Sequence, residues 1–164
     1  MTKQGKVVLI VAIVGACCVG GVTIVLLLAA LAIPAMQATI RHTNETSAIN
    51  TLKFLTTEQQ NYNATYPEHG FSCSLSAMGG SPQSGPETAE AAQLIGADVA
   101  AGRKAGYAFA ISNCVKQKDQ VISYKLTAVP VSPGHTGTRG FRTDQDGQIT
   151  VDPNGGVNCT QPLQ

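Results

Sequence analysis

From Val7 to Met36 the chain runs thirty residues without a charged side chain, and beyond it the apolar positions thin to a stripe. As a helix the run would extend about 45 Å, more than the roughly 30 Å hydrocarbon core of a bilayer. Its only hydroxyl is Thr23, which can bond back to a helix carbonyl, so insertion buries no charge. Between Gln37 and Tyr62 the residues Ile40, Ala48, Ile49, Leu52, Leu55 and Tyr62 recur at helical spacing, with Arg41, Asn44, Glu45, Asn50, Lys53 and Gln60 on the opposite face. The pattern predicts one long helix, with residues 7–36 in the membrane and 37–62 as its amphipathic continuation. Six threonines between 39 and 57 lower its intrinsic propensity, so packing has to hold it.

Asn63 and Pro67 end that helix, and Pro67 to Pro86 is rich in Gly, Ser and Pro, as in a long surface loop. The alanine-rich stretch Glu87 to Ala101, opened after Pro86 and closed by Gly102, predicts a short second helix. The period then changes to two. Tyr107, Phe109 and Ile111 form one alternating run, and Ile122, Tyr124 and Leu126 fall in a second over Val121 to Val131. Gly134 to Gly140 is a turn-rich connection. The stretches 140–143 and 148–151 flank Asp144-Gln145-Asp146-Gly147, which predicts a hairpin. The tail from Asp152 should be irregular.

Charge and composition narrow the function. Lys3 and Lys6 precede the apolar run with no acid before Glu45, which places residues 1–6 in the cytoplasm and the 37–164 domain outside it. Two other fates of the N-terminus fit parts of the pattern: signal-peptide cleavage after Ala32, and acylation of Cys17 as in a lipoprotein. Gly15, Gly20 and Gly21 suit a close helix–helix contact or simply the glycine content of membrane helices. The 128 or so residues after Met36 suffice for a single core. With 11 basic and 10 acidic side chains, a net charge of +1 and no basic block, nucleic acid is not an expected partner.

No cofactor, metal or catalytic group is expected. His42, His69 and His135 stand far apart without a nucleophile or carboxylate at motif spacing. Asp144-Gln145-Asp146-Gly147 begins like a calcium loop, but Ile149 and Asp152 stand where further oxygen ligands belong. Asn44, Asn63 and Asn158 head Asn-x-Thr triplets, which arise easily in a chain rich in Asn and Thr. Cys73, Cys114 and Cys159 lie in the exported part and allow one disulfide with one thiol left over.

Ala32-Ile33-Pro34, with the polar helical run Arg41 to Tyr62 behind it, resembles the type IV pilins and the pilin-like subunits (pseudopilins) of type II secretion. The stretches Ala48-Ile49-Asn50-Thr51-Leu52, Gly70-Phe71-Ser72-Cys73-Ser74-Leu75, Lys104-Ala105-Gly106-Tyr107, Ala128-Val129-Pro130-Val131 and Thr143-Asp144-Gln145-Asp146-Gly147 are similar to those of a bacterial pilin subgroup. The resemblance implies an α+β fold in which a long N-terminal helix, kinked at Pro34, packs its second half on a small antiparallel sheet. It implies a Cys73–Cys114 disulfide, with Cys114–Cys159 the competing pairing. It also implies a structural subunit of a surface filament or secretion pseudopilus whose partners are other copies or other pilin-like subunits, the inner membrane and the assembly machinery. The apolar helix, with Cys17, Gly20 and Gly21, would pack in the fibre core. One departure matters: the Gly-Phe-Thr-Leu-Ile-Glu peptidase motif is missing, and Cys17 stands where the family carries a glutamate. That departure favours the alternative of an uncleaved, membrane-anchored accessory or binding protein, with contact loops at Ser81 to Pro86 and Pro133 to Thr138.

Overall fold

The computed structural model describes residues 36–163. The stretch 1–6 expected in the cytoplasm, the apolar run through residue 35, the expected kink at Pro34 and the expected assembly positions Cys17, Gly20 and Gly21 lie outside the described residues. Ile40–Gln164 forms one compact unit. Among the described residues no helix is long and apolar enough to cross a membrane.

The fold is α+β: one long helix packed on a six-stranded antiparallel sheet. Helix α1 covers residues 36–65. Its threonines satisfy themselves locally. The hydroxyls of Thr46, Thr51, Thr56, Thr57 and Thr65 each donate to the carbonyl four residues back, so the helix carries them without unpaired polar groups. It stops before Pro67, whose ring disfavours helical backbone at Tyr66.

The sheet is a meander in the order β1-β2-β3-β4-β5-β6. Its strands are β1 (Arg103–Lys104), β2 (Tyr107–Gln117), β3 (Gln120–Pro130), β4 (Gly140–Asp144), β5 (Thr150–Asp152) and β6 (Gln161–Pro162). Two one-turn helices, α2 (Leu75–Met78) and α3 (Ala97–Ala100), lie between α1 and the sheet in sequence. The core joins Ala48, Leu52, Leu55 and Tyr62 of α1 to Met78, Ile95, Val99, Tyr107, Phe109, Tyr124, Leu126, Phe141 and Val151, with Ile49 packed at its margin. Burying a Leu or Phe side chain contributes about 1.5–3 kcal/mol, so this apolar cluster is the main force holding helix to sheet.

Several sequence expectations are corrected. The 67–86 stretch is not simply a surface loop: Leu75 and Met78 are buried, and Ser74 caps α2 by accepting from the Ala77 N–H. Only Ala97–Ala100 of the alanine-rich stretch is helical. Ahead of it, the amides of Ala92, Gln93, Leu94 and Ile95 donate to carbonyls of Ala77, Gly79 and Met78, and Gln93 sits at φ 55, so the backbone is spent on a neighbouring segment. Ile122 is 45% exposed, although it falls within the second alternating run. The ladder shifts register between Ser112 and Val115 and again between Val115 and Lys116, which moves the buried phase from Val121 to Tyr124, Leu126 and Ala128. The tail is not wholly irregular, because β6 pairs with β5.

The Asp-Gly hairpin between β4 and β5 is a wider loop than a two-residue turn, the ladder closing at Arg142 and Thr150. Inside it Asp144 Oδ1 accepts from the Asp146 N–H, and the Gly147 N–H donates to the Asp144 carbonyl with Gly147 at φ 77.

Candidate assembly surface

Helix α1 has two faces of opposite character. The inner face carries Ala48, Leu52, Leu55 and Tyr62 and three polar residues as well: Glu45, Thr51 and Gln59 are all buried. The sequence reading put Glu45 on the solvent face, and the structure corrects this. Glu45 is 5% exposed and meets the turn that leads into β4. Its Oε1 accepts from the Thr138 N–H at 2.8 Å, the Thr138 hydroxyl at 2.7 Å and the Arg139 N–H at 3.1 Å, while Oε2 accepts from Arg139 Nε at 2.8 Å. Burial by itself would push this carboxyl up, but the Thr138 and Arg139 hydrogen bonds outweigh it and hold the group below the ordinary carboxylate value.

Arg41 and Asn44 add bonds to the Gly134 and Thr136 carbonyls, so a full turn of α1 grips the 134–139 segment. Behind that segment the Tyr107 hydroxyl donates to the Arg139 carbonyl, and burial raises the phenol well above its usual range. At the other end of α1, Gln59 holds the chain ahead of α2. Its Nε2 donates to the Ser72 carbonyl and its Oε1 accepts from the Ser72 N–H, which copies a strand pairing with a side-chain amide.

The outer face is different. Ile40, Thr43, Ser47, Asn50, Phe54, Thr57 and Asn61 follow one another at alternating spacings of three and four, and none of them is charged. This is the spacing of a helix–helix seam. Six are exposed and Ser47 is half-buried; Ile40 and Phe54 are 52% and 43% exposed, large apolar groups facing outward. A shallow groove of about 610 Å³ borders this line of residues, lined by Thr43, Ser47, Asn50 and Phe54 from it, by His42, Thr46 and the buried Thr51 beside it, and by Lys104 of β1. An uncharged, hydroxyl-rich helix face with two apolar knobs suits packing against another helix better than capture of a charged small molecule.

Among the described residues the other candidate side chains stand apart from one another. His42, His69 and His135 are exposed in separate parts of the fold, and a Glu68 carboxylate oxygen lies 3.7 Å from His69 Nε2. Among the described residues no group of three or more His, Cys, Asp or Glu is placed to hold a metal ion. Cys73 and Cys114 are disulfide-bonded with Cα atoms 6.2 Å apart. Cys159 is a free, fully buried thiol whose pKa burial pushes up.

No described protein family, curated protein or solved structure matches the chain.

The sequence stripe located the inner face of α1 but not the seam. The signal for the seam was present in the uncharged positions between 40 and 61, which fall on one line once the buried face is fixed. Nothing local in the sequence marked Glu45, whose partners lie 93 and 94 residues away.

Proposed function

We propose that the chain is a pilin-like structural subunit of a bacterial surface filament or secretion pseudopilus, held before assembly by a single inner-membrane helix with its folded head outside the cytoplasm. The observation that carries this reading is the outer face of α1, a line of uncharged residues from Ile40 to Asn61 on a helix whose other face is taken up by the sheet, the 134–139 turn and the chain at Ser72. Exposed Lys53 and partly exposed Glu58 flank this line without entering it, which leaves an apolar and hydroxyl-bearing strip open to a partner helix. The disulfide supports an oxidising compartment, and Lys3 and Lys6 ahead of the apolar run support the orientation. The role is mechanical, with copies of the chain or other pilin-like subunits as partners.

One observation favours a second reading. Cys17 stands where the family's glutamate belongs, and the peptidase motif is missing. An uncleaved chain would remain in the membrane as an anchored accessory subunit, using the same helix face for a pilin-like partner.

Intact-mass measurement on protein recovered from cells, with the surface fraction sheared off and analysed separately, tests both. A filament subunit is found in the sheared fraction, shortened near residue 12. An accessory subunit is full length and confined to the membrane. Recovery of a soluble chain cut after Ala32, or of one acylated at Cys17, would contradict both.

A further inference from the structure

The Cys73–Cys114 bridge sits at the edge of the fold. Cys73 is exposed, Cys114 is half-buried, and neither belongs to the fully buried core. Cys73 lines an open cleft of about 470 Å³ whose one wall is the segment around Ser72 to Ala77 and whose other wall is the β2–β3 hairpin, represented by Lys116, Asp119 and Val121. The bridge therefore ties one wall of the cleft to the other.

Around Cys114 the sheet is already interrupted. Neither Asn113 nor Cys114 has a register partner on β3, since the ladder passes from Ser112↔Lys125 to Val115↔Ser123, and Asn113 sits at φ 50. A bulge of this kind lets Cys114 move without breaking ladder pairs.

The strap from His69 to Ser74 has its own non-covalent holds. The Phe71 N–H donates to the Val121 carbonyl, the Val121 N–H donates to the His69 carbonyl, and Gln59 grips both backbone groups of Ser72. Leu75 and Met78 follow directly, buried in the core. Cutting the covalent link leaves these in place.

We propose that the Cys73–Cys114 bridge is a redox-sensitive latch that a dithiol reductant opens in the folded protein, loosening the 69–74 strap where it is tied to β2 while its Val121 and Gln59 holds and the helix–sheet core stay intact. The co-reactant is a dithiol of the thioredoxin class. Its thiolate attacks Cys73 Sγ, the exposed end; the Cys73–Cys114 bond breaks, and Cys114 leaves as a thiolate that takes a proton from water. The second thiol of the reductant, as its thiolate, then attacks the mixed disulfide. This releases Cys73 and carries away an oxidised dithiol, two electrons having passed to the bridge. Lys116 on the cleft lining favours developing thiolate charge, and Glu90 and Asp119 on the same lining oppose it. The latch does not depend on the filament reading.

The test is to treat the oxidised full chain, without denaturant, with a thioredoxin-type dithiol and its reductase, quench with iodoacetamide and map the alkylated cysteines. The buried Cys159 serves as the internal control. The expected result is alkylation at Cys73 and Cys114 with Cys159 protected. Amide exchange over 69–74 and 112–117 should rise by roughly 10- to 100-fold and stay unchanged over 48–62, below the full loop-closure effect because Gln59 and Val121 still hold the strap. Alkylation of Cys159 in step with the other two would mean that reduction requires global unfolding and would overturn the proposal. A bridge that resists the dithiol until denaturant is added would overturn it equally.

Discussion

Replacing Glu45 with glutamine keeps shape and volume and removes one charge from the contact between α1 and the 134–139 turn. The amide oxygen can still accept from Thr138 and from the Arg139 N–H, but the new NH₂ group then faces Arg139 Nε, donor against donor. Hydrogen bonds to a charged group are worth about 1.5–3 kcal/mol, and one of the four is lost outright while the others weaken. Arg139, with a side chain 39% exposed, can turn its charge to water, which limits the penalty. The expected cost is about 2 kcal/mol for Glu45→Gln, and about 3–4 kcal/mol for Glu45→Ala, which strands the Thr138 and Arg139 amides.

Urea unfolding of the full chain reads this as a drop of roughly 1 M in midpoint for the glutamine variant. The pH dependence gives a second check. Glu45 in the folded protein lies below its ordinary value of 4.5, so its contribution is complete above that pH and is lost as the pH falls through the lower, folded value. The gap between parent and Glu45→Gln should therefore be constant from neutral pH to about 5 and close on further acidification. A glutamine variant within about 0.5 kcal/mol of the parent at pH 7, or a gap that does not narrow as the pH falls below 4.5, would refute the reasoning.

Three further substitutions probe other parts of the account. Gln59→Ala leaves both backbone groups of Ser72 without their partner and should cost about 2–3 kcal/mol in urea unfolding, with exchange rising first at 71–73. Gly137→Ala drives a Cβ into the Tyr107 ring, which is fixed by its bond to the Arg139 carbonyl, and should lower stability by about 1–3 kcal/mol even though Gly137 does not sit at positive φ. Phe54→Asp should leave head stability within about 0.5 kcal/mol of the parent, because the side chain is outside the core, while abolishing recovery in sheared filaments.

Parts of this architecture were legible residue by residue. The inner stripe Ala48, Leu52, Leu55 and Tyr62 follows the helical period, and Tyr107 and Phe109 follow the strand period, so both core faces could be read locally. The misread parts depend on distant partners. Glu45 looks like a solvent-facing residue until the chain brings Thr138 and Arg139 to it. The alanines of 87–101 favour helix, yet the carbonyls of Ala77 to Gly79 claim the amides of 92–95 first. Ile122 escaped the alternation because a register shift is invisible in a single strand. The disulfide was not readable from three cysteines by spacing and came from the resemblance alone.

The central claim is that the outer face of α1 is a seam for another helix. It is tested most directly by placing a photo-crosslinking amino acid at Phe54, with Ile122 on the distant β2–β3 hairpin as control, and irradiating intact cells. The account predicts a crosslink from position 54 to the helical part of a second copy or of another pilin-like subunit, and none of that kind from position 122. Equal labelling at both positions, or capture only by water at position 54, would contradict it.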